Sequence, residues 1–329
     1  SLKPFPPDEA EPWRMARGET LELYVADRKG ELPDDVRMEY KFEEDKVIAE
    51  PLRRTTLRDA QGRPREVGVA SLVAVKGPLA FRAVGGDDDT MPWRRLEVVP
   101  PPLVESLRLK LTPPAYTGQP VETLPEGVGH VRGLVGTTVD LEATMNKPLE
   151  SAQLRIKDQS PVRVPLSPDG RHVKTSFVIG EAGTYSWWFD LKDLQGFENA
   201  EAPRHEIRGI ADLVPDTWIH DPPADQNVTP TALVPVTVGA KDDLGLREIR
   251  LQFRLANVPE ASLTPIPLFD GTDRPQQRAV EHPWDLSELK LEPGLKLVFH
   301  AEALDDYDLD GEHVGRSLPR TLTIVSPEV

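Results

Sequence analysis

The stretch Glu181-Ala182-Gly183-Thr184-Tyr185-Ser186-Trp187-Trp188-Phe189 interleaves large apolar side chains with polar ones. Side chains of an extended strand point to opposite faces in turn, so Tyr185, Trp187 and Phe189 share one face and Ser186, Trp188 and Asp190 the other. The first face is the buried one. Trp188 then points outward, an unusual place for an indole and a candidate platform for a partner's side chain or a sugar ring. Gly183 ahead of the run and the turn Asp193-Leu194-Gln195-Gly196 behind it bound a single strand.

The same element occurs twice more. Gly77 leads Leu79, Phe81 and Ala83 into the turn Gly85-Gly86-Asp87-Asp88-Asp89, and Gly294 leads Leu295, Leu297 and Phe299 into an acidic turn over residues 305–311. Upstream of each lie two further runs of period two. The first runs are Leu21, Leu23, Val25; Val139, Leu141, Ala143; and Val234, Val236, Val238, Ala240. The second are Val36, Met38, Tyr40; Ala152, Leu154, Ile156; and Ile249, Leu251, Phe253. A closing strand ends each set, at residues 95–99, 204–210 and 320–325. A repeat of roughly 110 residues built this way matches a seven-stranded sandwich of about 100 residues. The chain therefore reads as all-β, with about three tandem immunoglobulin-like β-sandwich domains over residues 1–99, 100–212 and 213–329.

Proline supports that reading. There are 34 prolines in 329 residues, about twice the usual share of ~5%. Lacking a backbone donor, they belong at strand ends, edges and joints. Pro100-Pro101-Pro102 and residues 213–223 are the expected joints between domains. One short helical turn is expected at Asp285-Leu286-Ser287-Glu288, an acidic cap with a glutamate three residues on.

Two resemblances carry further expectations. Residues 181–187 resemble the immunoglobulin-superfamily strand motif of acid, any, glycine, any, tyrosine, any, cysteine, except that Trp187 stands in the cysteine's place. The resemblance implies a disulfide-free sandwich in which the indole fills the space of the bridge. It also implies a tyrosine corner, with the Tyr185 hydroxyl bonded to backbone just upstream. The phrases Leu111-Thr112-Pro113-Pro114-Ala115-Tyr116-Thr117-Gly118 and Ala240-Lys241-Asp242-Asp243-Leu244-Gly245-Leu246 resemble a family of bacterial envelope proteins with a domain of unknown function. In these, membrane helices near the N-terminus precede a long extracytoplasmic region. That resemblance implies an extracytoplasmic address, periplasmic or surface, for the soluble part of a membrane-anchored protein. The chain opens at Ser1 rather than Met, and an anchor or signal ahead of it is expected.

Composition narrows the partners. Lys and Arg number 39 against 55 Asp and Glu, a formal net charge of -16, which repels a phosphate backbone and argues against nucleic acid. Cysteine is absent, which removes disulfides, thiolate metal sites and cysteine nucleophiles together. No apolar run approaches the ~18 residues that span a bilayer, so membrane contact is expected only through an anchor outside this stretch. The seven histidines are scattered singly without HExxH, and no GxSxG, GxxxxGK[ST] or GxGxxG occurs. The chain is therefore read as non-enzymatic, with no catalytic residue and no cofactor beyond a candidate calcium ion.

Asp306, Asp308 and Asp310, followed by Gly311, fit the first half of a calcium loop, in which alternate carboxylates converge on the ion. The twelfth position is Ser317 in place of a bidentate glutamate, so the plainer reading is an acidic hairpin. If calcium binds, Asp242, Asp243 and Asp305 are further oxygen donors. Pro113-Pro114-Ala115-Tyr116-Thr117-Gly118 reads as a linker between sandwiches, or as an extended surface for an aromatic groove. The function expected is a scaffold or protein-interaction module of the bacterial envelope, with Trp188 and Tyr116 as candidate anchors for a protein partner. A calcium-stiffened adhesin-like rod and a carbohydrate-binding accessory module are the alternatives.

Overall fold

The computed structural model describes residues 12–27, 31–43, 46–58, 62, 64–86, 89–199, 202–259 and 263–326. Ser1 and the turn residues Asp87 and Asp88 lie outside them. The first eight strands are β1 (Trp13–Ala16), β2 (Leu21–Val25), β3 (Arg37–Glu43), β4 (Lys46–Pro51), β5 (Arg53–Arg58), β6 (Pro64–Leu72), β7 (Leu79–Val84) and β8 (Arg94–Val99). Nine follow: β9 (Val104–Thr112), β10 (Glu122–Thr123), β11 (Val131–Leu134), β12 (Thr138–Met145), β13 (Leu149–Ile156), β14 (Val162–Val164), β15 (His172–Val178), β16 (Gly183–Asp193) and β17 (His205–Ile210). The last are β18 (Asp216–Asp221), β19 (Gln226–Val228), β20 (Leu233–Lys241), β21 (Glu248–Leu255), β22 (Thr264–Asp270), β23 (Gln277–Asp285), β24 (Lys296–Leu304), β25 (Val314–Arg316) and β26 (Arg320–Ile324).

One sheet order recurs three times. It reads β1-β8-β7-β3-β4, then β11-β17-β16-β13-β14, then β19-β26-β24-β21-β22. In each case an early strand lies parallel to the closing strand: Trp13 opposite Leu96, Val131 opposite Ile207, Gln226 opposite Leu322. The remaining strands make the smaller sheets β2-β6-β5, β10-β9-β12-β15 and β18-β20-β23. Two sheets per set, closed by a parallel first-to-last pairing, is the immunoglobulin-like arrangement. No α-helix occurs among the described residues, and none of their helices is long and apolar enough to cross a membrane.

The chain gathers into two compact units, one of residues 1–107, 142–175 and 186–205, the other of residues 108–141, 176–185 and 206–329. In the first unit, Leu21 and Leu23 of β2, Met38 and Tyr40 of β3, Leu79 and Phe81 of β7 and Leu96 of β8 form one buried cluster. In the second, Val234, Val236 and Val238 of β20 pack with Ile249, Leu251, Trp284, Phe299 and Leu322. The Trp284 ring meets Phe299 edge-on at 5.4 Å. These are the residues whose period-two spacing marked the strands, because that spacing is what places them on one face.

Three local expectations end differently from one another. Asp285 caps a 3-10 turn at Leu286–Leu289, accepting from the Ser287 amide at 2.9 Å, as its sequence requires. Residues 213–223, read as a joint, contain β18, whose Thr217 and Ile219 turn inward and which pairs with β20, with exposed Asp216 and His220 and half-buried Trp218 on the other face. Residues 113–118, read as a linker, connect β9 to its antiparallel neighbour β10 within one sheet. There Ala115–Thr117 form a 3-10 turn that Gly118 ends in the left-handed region at φ 61°. Thr117 Oγ1 donates to the Pro114 carbonyl at 2.8 Å, a side-chain bond that holds the reversal.

Candidate functional site

Strand β16 presents two tryptophans to opposite sides. Trp187 is fully buried, edge-on to Phe189 at 5.8 Å and tilted against His205 at 4.7 Å. The indole thus packs where the sequence motif would have a cysteine. Tyr185 is buried too, but the backbone amides of Gly180 and Glu181 approach its hydroxyl without a hydrogen bond of good geometry. Burial raises the pKa of that phenol, and those two amides oppose the shift.

Trp188 is half-buried on the other face. Its Nε1 donates to Asp190 Oδ1 at 2.9 Å. The Arg204 guanidinium carbon lies 4.3 Å from the ring centroid, and that of Arg155, directly opposite on β13, lies at 6.0 Å. Asp190 also pairs with Arg155, Oδ2 to Nε at 3.1 Å. One carboxylate therefore holds both the indole edge and a cation, and Arg204 covers ring surface by a cation–π contact. The result is a pre-ordered patch of one aromatic and two guanidinium groups.

A second group of polar side chains gathers in the 305–313 loop between β24 and β25. Asp305 is 4% exposed; its Oδ1 accepts from the Tyr307 amide at 2.9 Å and its Oδ2 lies 3.2 Å from His313 Nδ1. The Tyr307 ring stacks on the His313 imidazole, centroids 3.6 Å apart and planes 8° from parallel. Tyr116, from the 3-10 turn after β9, meets Tyr307 edge-on at 5.3 Å. Its hydroxyl is buried without a well-formed hydrogen bond, and its pKa is raised by burial first and by the Asp212 charge second. Asp242 is also buried, with Oδ2 accepting from the amides of Leu244 and Gly245 at 2.8 and 2.7 Å. Burial pushes Asp242 up to about 6, and the nearby Asp305 charge adds to the shift. The two phrases that carried the envelope-family resemblance thus meet here, Tyr116 from one and Asp242 from the other, around Asp305.

The residues of the half calcium loop have separate surroundings. Asp306 Oδ2 makes an ion pair with Arg274 Nε at 2.7 Å, Asp308 is exposed, and exposed Asp310 takes the Tyr307 hydroxyl as donor. Ser317, at the loop's twelfth position, is structural: its Oγ accepts from the Ala301 amide at 2.9 Å and donates to the Leu318 carbonyl at 3.1 Å. Among the described residues, the trio with ligand atoms within 4.8 Å of one another is Asp212, Asp305 and His313. Reading the sequence reached Asp305 and missed Asp212 and His313. Asp212 lies in the segment after β17, at the end of the preceding repeat and far upstream of Asp305, and His313 has no partner at a recognisable spacing, so nothing linear joins them.

The fold and these two clusters define an all-β chain of immunoglobulin-like sheet order that carries an outward Trp–Arg patch and a buried carboxylate–imidazole group. No family model and no curated protein matches the chain. Among solved structures it is similar to fibronectin(III)-like modules of Clostridium thermocellum CbhA, at 15% identity over 61% of this chain and 92% of that one, with a TM-score of 0.22. A protein of Corynebacterium diphtheriae matches at 11% identity over 96% and 90%, TM-score 0.23. The mouse clustered protocadherin fragment PcdhgC3 EC1-3 matches at 14% over 88% and 89%, TM-score 0.30. At such scores the fold and function of this chain rest on its own sheets and side chains.

Proposed function

We propose that this chain is a non-enzymatic scaffold and protein-interaction module of the bacterial envelope, three sandwiches long with divisions near residues 99 and 212, and held outside the cytoplasm. Its action is binding. The observation that carries the reading is the Trp188 patch: an outward indole whose edge is tied to Asp190 and whose face lies under Arg204. Tryptophan and arginine are the residues most often found at the energetic centre of protein interfaces, and holding them in place before contact lowers the entropy lost on binding. Arg204 occupies ring surface on which a sugar would stack, which favours a protein partner over a carbohydrate. The extracytoplasmic address is supported by the two phrases that resemble envelope proteins, which come together around Asp305.

The test is affinity capture from a cross-linked bacterial envelope extract, using the chain and its Trp188→Ala and Arg204→Ala variants. A specific protein recovered by the unaltered chain and lost with either variant supports the reading. Equal recovery by all three chains overturns the role of the patch. Retention of the unaltered chain on a polysaccharide gel, lost in Trp188→Ala, moves the function to carbohydrate binding.

A further inference from the structure

Asp212, Asp305 and His313 come from three places in the chain: the segment after β17, the residue after β24 and the residue before β25. One ligand atom from each lies within 4.8 Å of the others. Asp305 Oδ2 and His313 Nδ1 are 3.2 Å apart, close to the edge of about 3.3 Å between ligands held at about 2.0–2.1 Å around a tetrahedral ion. The neighbours fix both donors. The Tyr307 amide occupies Asp305 Oδ1, leaving Oδ2 to the cluster, and the stacked Tyr307 ring sets the imidazole plane.

Asp212 supplies the independent sign. Both of its carboxylate oxygens are out of contact with solvent and make no hydrogen bond of good geometry, the neighbouring donor being the Tyr116 hydroxyl, which is likewise without a well-formed bond. A hydrogen bond between His313 and Asp305 leaves Asp212 with no cation and only the Tyr116 hydroxyl beside it. A carboxylate whose oxygens are shut off from solvent without well-formed donors is unfavourable unless a cation answers it. Asp242, buried nearby, adds further negative charge. Two carboxylates and one imidazole balance a divalent ion. The nitrogen donor suits a first-row transition metal, whereas calcium takes six to eight oxygens.

We propose that Asp212, Asp305 and His313 bind a divalent transition-metal ion, with zinc the best match, and that the ion ties residue 212 to the 305–313 loop. Tyr116 Oη stands beside Asp212 for a water in the remaining position, and the Tyr307 amide and ring are the outer contacts that orient Asp305 and His313.

The experiment uses the tag-free chain, stripped with EDTA, dialysed and titrated with zinc chloride, with Asp212→Asn and His313→Gln compared by calorimetry and thermal melting. The expected result is one equivalent of zinc per chain and a melting temperature that rises with zinc, since an ion held only by the folded state stabilises it. Each variant weakens zinc by more than the roughly 10- to 100-fold that loss of an outer contact costs. Without metal, Asp212→Asn melts at or above the unaltered chain because it removes a half-buried charge that faces Asp305 with no cation beside it, so the test stands even if His313→Gln fails to fold. Absence of saturable zinc binding, zinc binding unchanged in Asp212→Asn, or a melting rise with millimolar calcium but none with zinc would each overturn the proposal.

Discussion

Arg250 and Glu302 stand directly opposite each other on the antiparallel strands β21 and β24, with Nε and Oε2 2.8 Å apart. The Glu302 side chain is 3% exposed and also receives Gln252 Nε2 at 3.1 Å and Arg316 Nε at 2.9 Å, with His300 Nε2 3.3 Å away. Burial alone would raise this carboxyl, but the bonds from Arg250, Gln252 and His300 outweigh it and hold Glu302 at about 2. A folded value below the unfolded one stabilises the protein above pH 4.5 and loses that contribution as pH falls towards 2. Thermal melts between neutral pH and pH 2 are expected to fall across this window, and Glu302→Gln to flatten the fall. At neutral pH the substitution is expected to cost roughly 2–3 kcal/mol, because it leaves Arg250 with only its longer pairing to Glu248 at 3.5 Å.

The triple-proline joint is held by side chains. Asn146 Oδ1 accepts from the Leu103 amide at 3.0 Å, Asn146 Nδ2 donates to the Pro101 carbonyl at 3.1 Å, and Lys147 Nζ donates to the Pro100 carbonyl at 2.6 Å. The proline carbonyls at this joint are acceptors like any other, and these side chains supply donors for two of them. Asn146→Ala is expected to cost about 1–2 kcal/mol and to speed hydrogen exchange at the Leu103 amide. Exchange at the unaltered rate would show that the prolines hold the joint by themselves.

Adjacent tryptophans should respond oppositely. Trp187→Ala opens a large cavity beside Phe189 and His205, at an expected cost of about 3–5 kcal/mol. Trp188→Ala loses one part-buried hydrogen bond and the Arg204 contact, worth about 1 kcal/mol. Differential scanning calorimetry of both variants reads the contrast.

Gly315 in β25 is a position where backbone meets backbone: a Cβ there would lie 1.7 Å from the Pro215 carbonyl oxygen. Gly315→Ala is expected to destabilise by roughly 1–3 kcal/mol, as overpacking does. Gly77→Ala, where a Cβ meets nothing within 4 Å, serves as the control and is expected to melt unchanged.

The strands of the cores were legible because their signal is local. Leu21 and Leu23, Val139 and Leu141, and Ile249 and Leu251 alternate, and all six are buried. Exposed strands carry no such signal, which is why β4, with every residue from Lys46 to Pro51 exposed, escapes a reading that looks for one apolar face. Strand β18 was hidden for a related reason: its two inward residues, Thr217 and Ile219, sit inside a proline-bounded acidic segment that reads as a joint. The PPAYTG phrase misled in the other direction, since a proline pair followed by a turn serves a connection within a sheet as well as one between domains.

By itself the sequence determined an all-β chain of repeated sandwiches, an inward Trp187, an outward Trp188 and the capped turn at Asp285. Each of these depends on residues a few positions apart, and period-two alternation or a cap is complete within that span. Only the tertiary structure decided that Arg204 lies over Trp188, that the Asp306–Arg274 ion pair engages one end of the half calcium loop, and that Asp212, Asp305 and His313 converge. Those groupings are set by which strands pair and how loops close over the ends of the sheets. A side chain's partners are then chosen by contacts between residues far apart in the chain, which no local spacing records.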